Sequence, residues 1–204
     1  MSMKLYRYEL SGHAHRAENF LSILGVEHTL VDVDLGGGEH KKPEYLAMNP
    51  FAQVPVLVDG DVTLADSTAI LVYLAKKYGT EWLPDDALGQ AKVQRWLSIA
   101  SGELAAGPCA ARLITVFGAP FNQESTIAKS HDLLKIIEAH LTENEFLAAD
   151  RATIADLAIY TYVAYVPEGN VSLEAYPKVR AWLAGIEAIP GFTPMKKTVP
   201  AAKS

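Results

Sequence analysis

The chain has 204 residues, 50% of them hydrophobic and 21% charged, with a formal net charge of −6. That length accommodates one large domain or two small ones and buries a core without disulfides or metals. The acidic balance argues against a nucleic-acid surface, since Lys and Arg form no run longer than pairs such as Lys41-Lys42 and Lys196-Lys197. The single cysteine, Cys109, excludes an intrachain disulfide and a Cys-based zinc cluster. No apolar run approaches the roughly 18 residues of a spanning helix, and the first ten residues do not read as a signal peptide. The expectation is a cytoplasmic protein with no membrane partner.

The elements fall in a clear order. Lys4 to Leu10 reads as a strand. Ala14 to Gly25 reads as a helix, because Ala17, Phe20, Leu21 and Leu24 recur at helical spacing and Gly25 suits its end. His28 to Leu35 alternates as a second strand. A Gly36-Gly37-Gly38 loop follows, then a short helix around Pro43 to Met48. Val54 to Val58 is an apolar strand that Asp59-Gly60 turns back into Val62 to Leu64 as an antiparallel hairpin. Asp66 to Tyr78 is a third helix. This order, βαβ-α-ββα, is the thioredoxin-like arrangement.

Gly79 to Ala87 lacks periodicity and reads as a linker, so the expected domains are residues 1–79 and 88–204, joined by 80–87. After it the pattern is helical throughout: Leu88 to Val116, Gln123 to Thr142, Thr153 to Tyr165, and Ala175 to Ala188. Pro177 fits the first turn of the last helix. The tail from Pro190 reads as loosely packed. The fold class is thus an α/β N-terminal domain followed by an all-α helical bundle.

Particular residues sharpen this pattern. His40-Lys41-Lys42-Pro43-Glu44-Tyr45-Leu46 leads into Asn49-Pro50-Phe51-Ala52-Gln53-Val54-Pro55-Val56-Leu57, and then through Asp59-Gly60 to Leu64-Ala65-Asp66-Ser67-Thr68-Ala69-Ile70 and Tyr73-Leu74. This run resembles the glutathione-site half of the cytosolic glutathione transferase family, the phi class most closely, in a bacterial-type member. Later, Phe146-Leu147, Asp150-Arg151 and Thr153-Ile154-Ala155-Asp156 resemble the family's capping motif in the second domain, with Ala149 and Ala152 where the family often has Gly and Pro.

The resemblance implies a site. Ser11, between the first strand and the first helix, would donate to the glutathione sulfur and stabilise its thiolate, helped by the positive end of the helix. A plain N-cap is the other reading of the same serine. Tyr6 and Tyr8 are rival hydroxyls better suited to core or pocket wall. The resemblance places a cis-proline at Val54-Pro55, so that Val54 pairs with the cysteinyl backbone. Ser67 and Asp66, the latter where the family commonly has Glu, would take the γ-glutamyl end. His40 and Lys41 would face the glycyl carboxylate, and Gln53 would contact the tripeptide. Tyr8, Phe117, Tyr162 and Tyr165 are expected to wall the acceptor pocket. His13 and His15 suggest no metal site and are expected on the exposed helix face. Cys109 reads as a buried small hydrophobe rather than a nucleophile.

The expected activity is conjugation of glutathione to hydrophobic electrophiles by a homodimer, with no cofactor beyond glutathione as co-substrate. Phe51 is the candidate anchor into the partner's helices, or else part of its own core. Two rivals stand beside this: glutathione-dependent reduction of peroxides or disulfides at the same site, and a non-catalytic binding module.

Overall fold

The computed structural model describes residues 3–198, which form two compact units. The first comprises residues 3–80 and Ile189–Lys196. The second comprises residues 81–188 with 197–198.

In the first unit, β1 (Met3–Arg7), α1 (Gly12–Ile23) and β2 (His28–Asp32) make a βαβ unit with parallel strands. A 3-10 turn, Glu39–Lys41, precedes the short α2 (Pro43–Leu46). The antiparallel pair β3 (Val56–Asp59) and β4 (Val62–Ala65) and then α3 (Ser67–Tyr78) complete it. The sheet order is β2-β1-β3-β4. Both strands of the βαβ unit end earlier than their sequence pattern predicts: the chain leaves β1 after Arg7 and β2 after Asp32.

Alternation sets the two faces of this sheet. Leu5 and Leu57 pair across β1 and β3 and are fully buried on one side. Here α1 packs against α3 through such residues as Ala17, Phe20, Ile70 and Leu74. Tyr6 and Val56 face the other side, in a cluster with Val33, Tyr45 and Met48. Gly60 turns the β3–β4 hairpin with a φ of 62°. Asp59, before it, accepts from Tyr73 Oη at 2.8 Å, Lys77 Nζ at 2.6 Å and Tyr78 Oη at 2.7 Å, tying the hairpin to the end of α3.

The expectation of a loosely packed tail is wrong for residues 189–196. Thr193 N donates to Asn19 Oδ1 at 2.8 Å, the Thr193 and Ser22 hydroxyls lie 3.0 Å apart, and Met195 is buried. His15 is likewise not exposed: it is buried, and its Nε2 donates to Thr193 O at 2.7 Å. An aperiodic segment packs here because α1 supplies polar partners for its backbone. The tail beyond Thr198 lies outside the described residues.

A 3-10 turn at Thr80–Trp82, inside the stretch read as linker, leads the chain into the second unit, which continues with α4 (Ala87–Ser101). The single long helix expected over Leu88 to Val116 is broken. After Gly102 comes a π-helical turn, Ala105–Cys109, and then α5 (Ala110–Phe117). Pro108 is the physical reason, since it has no N–H to give to a regular α ladder. Gly107 permits a close approach there: a Cβ would stand 3.0 Å from Ser130 N. Then follow α6 (Gln123–Glu143), α7 (Ile154–Ala164), a 3-10 turn at Val166–Gly169, and α8 (Pro177–Glu187). Residues 154–163 of α7 are all buried, which makes it the central helix of the bundle. The Glu138 carboxylate of α6 accepts from the N–H groups of Lys178 and Val179 and so caps α8, whose N1 position is Pro177.

Candidate functional site

Two helix N-termini meet in the first unit. Ser11 is the N-cap of α1, with extended backbone (φ −84°, ψ 115°), and its Oγ accepts from Ala14 N at 3.3 Å. The cap reading of Ser11 therefore holds. It uses a lone pair of the hydroxyl and leaves the proton for a ligand. Tyr8 lies just past β1 and is half-buried.

Asp66 is the N-cap of α3. Its Oδ1 accepts from Thr68 N at 2.8 Å, Ala69 N at 2.9 Å and the Thr68 hydroxyl. Burial would raise this carboxyl, but the Thr68 hydroxyl, those two N–H groups and Arg16 outweigh it and hold the group below the usual carboxylate range. Its backbone stands at φ 72°, ψ 123°, a conformation that non-glycine residues rarely adopt.

Ser67 follows and is 4% exposed. Arg16, on α1 and fully buried, donates from Nη1 to Ser67 Oγ at 3.2 Å, and His13 Nδ1 stands 3.4 Å from the same oxygen. The His13 ring is not an exposed helix residue as expected. Burial, with the Arg16 charge beside it and only partly offset by Asp66, pushes it down to about 3, so it is neutral at physiological pH. The sequence reading did not single out Arg16. A charged residue on the apolar face of α1 is its only signal.

The Val54–Pro55 peptide is cis. The loop before it is clamped through the Gln53 carbonyl, which accepts from Tyr45 Oη at 2.9 Å and Asn49 Nδ2 at 2.8 Å. Burial, with Glu39 and Tyr6 adding to it, pushes the Tyr45 hydroxyl up to about 12 and keeps it a donor. Tyr45 and Asn49 thus position Gln53, whose side chain is exposed, and Val54. His40 and Lys41 occupy the 3-10 turn directly before α2. Lys41 is exposed, while His40 Nδ1 is shielded from solvent without a hydrogen-bond partner among the described residues.

The residues expected to wall an acceptor pocket divide between the units. Phe117 ends α5 and is 42% exposed, with the Arg112 guanidinium 5.9 Å from its ring. Tyr162 and Tyr165 are buried in the helical unit and present little surface to a small molecule. An open cleft of about 560 Å³ in that unit is lined by Asn122, Gln123, Glu124 and Ile127, none of which the sequence reading singled out. Cys109 is buried in the π-helical turn.

In the second unit, Thr153 and Asp156 form the expected capping box at the start of α7. Asp156 is fully buried. Its Oδ2 accepts from Thr153 N at 2.9 Å and from the Thr153 hydroxyl at 3.2 Å, and its Oδ1 from Leu147 N and Trp182 Nε1, each at 3.0 Å.

Residues 1–76 match the family described as glutathione S-transferase, N-terminal domain, and residues 121–190 match glutathione S-transferase, C-terminal domain. Glutathione S-transferase 3 of Zea mays is 37% identical, over 98% of this chain and 94% of that protein. Glutathione S-transferase F10 of Arabidopsis thaliana is 36% identical, over 78% of this chain and 80% of its own length. Among solved structures, a glutathione S-transferase from Pseudomonas fluorescens is 27% identical with a TM-score of 0.89, covering 97% of this chain and 100% of that one. A glutathione S-transferase-I bound with lactoylglutathione is 32% identical with a TM-score of 0.81, covering 94% and 96%.

Proposed function

The chain belongs to the glutathione S-transferase family, and we propose that it conjugates glutathione to hydrophobic electrophiles, with Ser11 as the catalytic residue. The observation that carries this reading is the junction of two helix N-termini, where the Ser11 hydroxyl tops α1 and the buried Ser67 starts α3, joined through Arg16. Such termini favour anions. Glutathione brings two that matter here, a γ-glutamyl carboxylate and a sulfur that reacts as thiolate.

The carboxylate sits at Ser67, with Asp66 oriented to the γ-glutamyl amino group. Val54, just before Pro55, pairs with the cysteinyl backbone. His40 and Lys41 meet the glycyl carboxylate, and Gln53 contacts the tripeptide. The Ser11 proton is donated to the sulfur. This stabilises the thiolate and raises its population at neutral pH, since a free thiol with a pKa of about 8.5 is mostly protonated there. The sulfur lone pair then forms a C–S bond as the leaving group departs with its bonding electrons. Tyr8 contributes to the acceptor side.

We further propose a homodimer anchored by Phe51, which is 79% exposed in the loop before Pro55. Sedimentation of the wild type as a monomer at micromolar concentration would contradict this. For the reaction, product analysis with purified protein, glutathione and an activated aryl halide decides. A thioether is expected. Oxidised glutathione formed from a peroxide, with no thioether, would instead establish the reductase reading.

A further inference from the structure

Ser67 is the proposed ligand-binding hydroxyl whose other partners the fold has already chosen. It is buried, and its oxygen is approached from α1 by Arg16 Nη1 at 3.2 Å and His13 Nδ1 at 3.4 Å. A hydroxyl has one proton and two lone pairs. Arg16 can only donate, so it fills one lone pair. The state of His13 Nδ1 then decides where the Ser67 proton points. If Nδ1 is bare, it accepts the Ser67 proton, and the serine turns an oxygen lone pair toward any incoming carboxylate, which repels it. If Nδ1 carries a proton, both lone pairs are filled and the Ser67 proton is directed outward, to an anion.

We infer that His13 is a positioning residue for the γ-glutamyl carboxylate: its ring N–H at Nδ1 fills the second lone pair of Ser67 Oγ and turns the Ser67 proton toward the ligand. This rests on the glutathione reading above. The surroundings agree with it. Arg16 and burial keep the ring from taking a second proton, so its one proton must reside on one nitrogen or the other. An arriving carboxylate favours the tautomer that leaves Ser67 a donor. His13 itself does not touch the ligand; it acts through Ser67.

The test is calorimetric titration of the full-length protein with glutathione, supported by steady-state kinetics. Replacing His13 by Asn keeps an amide N–H near the Nδ1 position, whereas Gln carries its amide farther out and Ala has none. His13→Ala and His13→Gln are expected to weaken glutathione binding about tenfold, the scale of one lost hydrogen bond to a charged group. The same factor should appear in KM for glutathione while kcat changes little. His13→Asn is expected to stay within about twofold of wild type, and His13→Ala should add little in a Ser67→Ala background, as for two members of one network. Asn as weak as Gln, or an undiminished His13→Ala effect without the Ser67 hydroxyl, overturns the assignment and leaves His13 a packing residue. The Asn–Gln comparison stands even if the alanine variant fails to fold. Wild-type protein that does not bind glutathione at all sinks the glutathione reading itself, a different result from wild-type binding that no His13 variant alters.

Discussion

The start of α7 and the paired starts of α1 and α3 use the same chemistry to different ends. All three helices begin at a Ser, Thr or Asp side chain that accepts from backbone N–H groups. At α7 the arrangement is closed: Asp156 is fully buried, and both its oxygens are occupied by donors from Thr153, Leu147 and Trp182. Nothing is left for a ligand. At α1 and α3 the arrangement is open. Ser11 accepts one N–H and keeps its proton, Asp66 is exposed and held ionised, and Ser67 takes its partners from the opposite helix. A cap whose hydrogen-bonding capacity is exhausted stabilises the fold; one with capacity to spare can also bind.

That contrast can be broken by substitution. The largest effect is expected at the closed cap. Asp156→Ala strands buried donors on Leu147, Thr153 and Trp182, and it is expected to cost about 3 kcal/mol or more of stability in denaturant titration, at about 1–3 kcal/mol per unsatisfied group. Activity per folded molecule should change little, and an unaltered denaturation midpoint would remove the capping role. Next is Ser67→Ala at the open site. It should raise KM for glutathione about tenfold, as for loss of one hydrogen bond to a charged group, with kcat much less affected. A kcat loss without a KM change would contradict the assignment of Ser67 to a carboxylate whose charge is constant through the reaction.

Asp66 sharpens the comparison from the backbone side. Asp66→Ala loses the cap and keeps a Cβ at φ 72°, whereas Asp66→Gly loses the cap and relieves the φ. The expected cost is about 1 kcal/mol for Ala and a few tenths for Gly, read from thermal unfolding. Equal costs would show that the positive φ matters little.

The least visible effect at neutral pH is acid sensitivity. His13 is held neutral down to about 3 in the folded chain but takes a proton near 6.5 when unfolded. Between those values the unfolded state binds a proton that the folded state refuses, so stability falls as pH drops through that window. His13→Asn should flatten this component of the pH profile, and an unchanged slope would place the ring in a more solvated setting.

The sequence made the layout legible because its signals are local. Asp59-Gly60 between apolar runs announces the hairpin, Thr153 with Asp156 announces the α7 cap, and the residues around Pro55 carry the family resemblance. The polar interior was illegible. Arg16, His13 and His15 lie on α1, and periodicity alone cannot say which polar residue a distant segment will cover. Ser67 reaches Arg16 from 51 positions away, and Thr193 reaches His15 from 178. The helix break at Pro108 was legible in principle, but the apolar pattern on either side of it masked the interruption. The docking of residues 189–196 on α1 left no periodic trace, because that segment is held by backbone and short polar side chains.

The central claim is that Ser11 is more than a cap, and the thiolate absorbance of bound glutathione, titrated against pH in wild type and in Ser11→Ala, tests it most directly. In the wild type the bound thiol should ionise below its free value of about 8.5. In Ser11→Ala that titration should move up, and turnover should fall by about 10²-fold, the scale of losing one preorganised donor to a developing charge. If Ser11→Ala leaves both the titration and turnover unchanged, Ser11 only caps α1, and Tyr8 or a backbone N–H activates the sulfur.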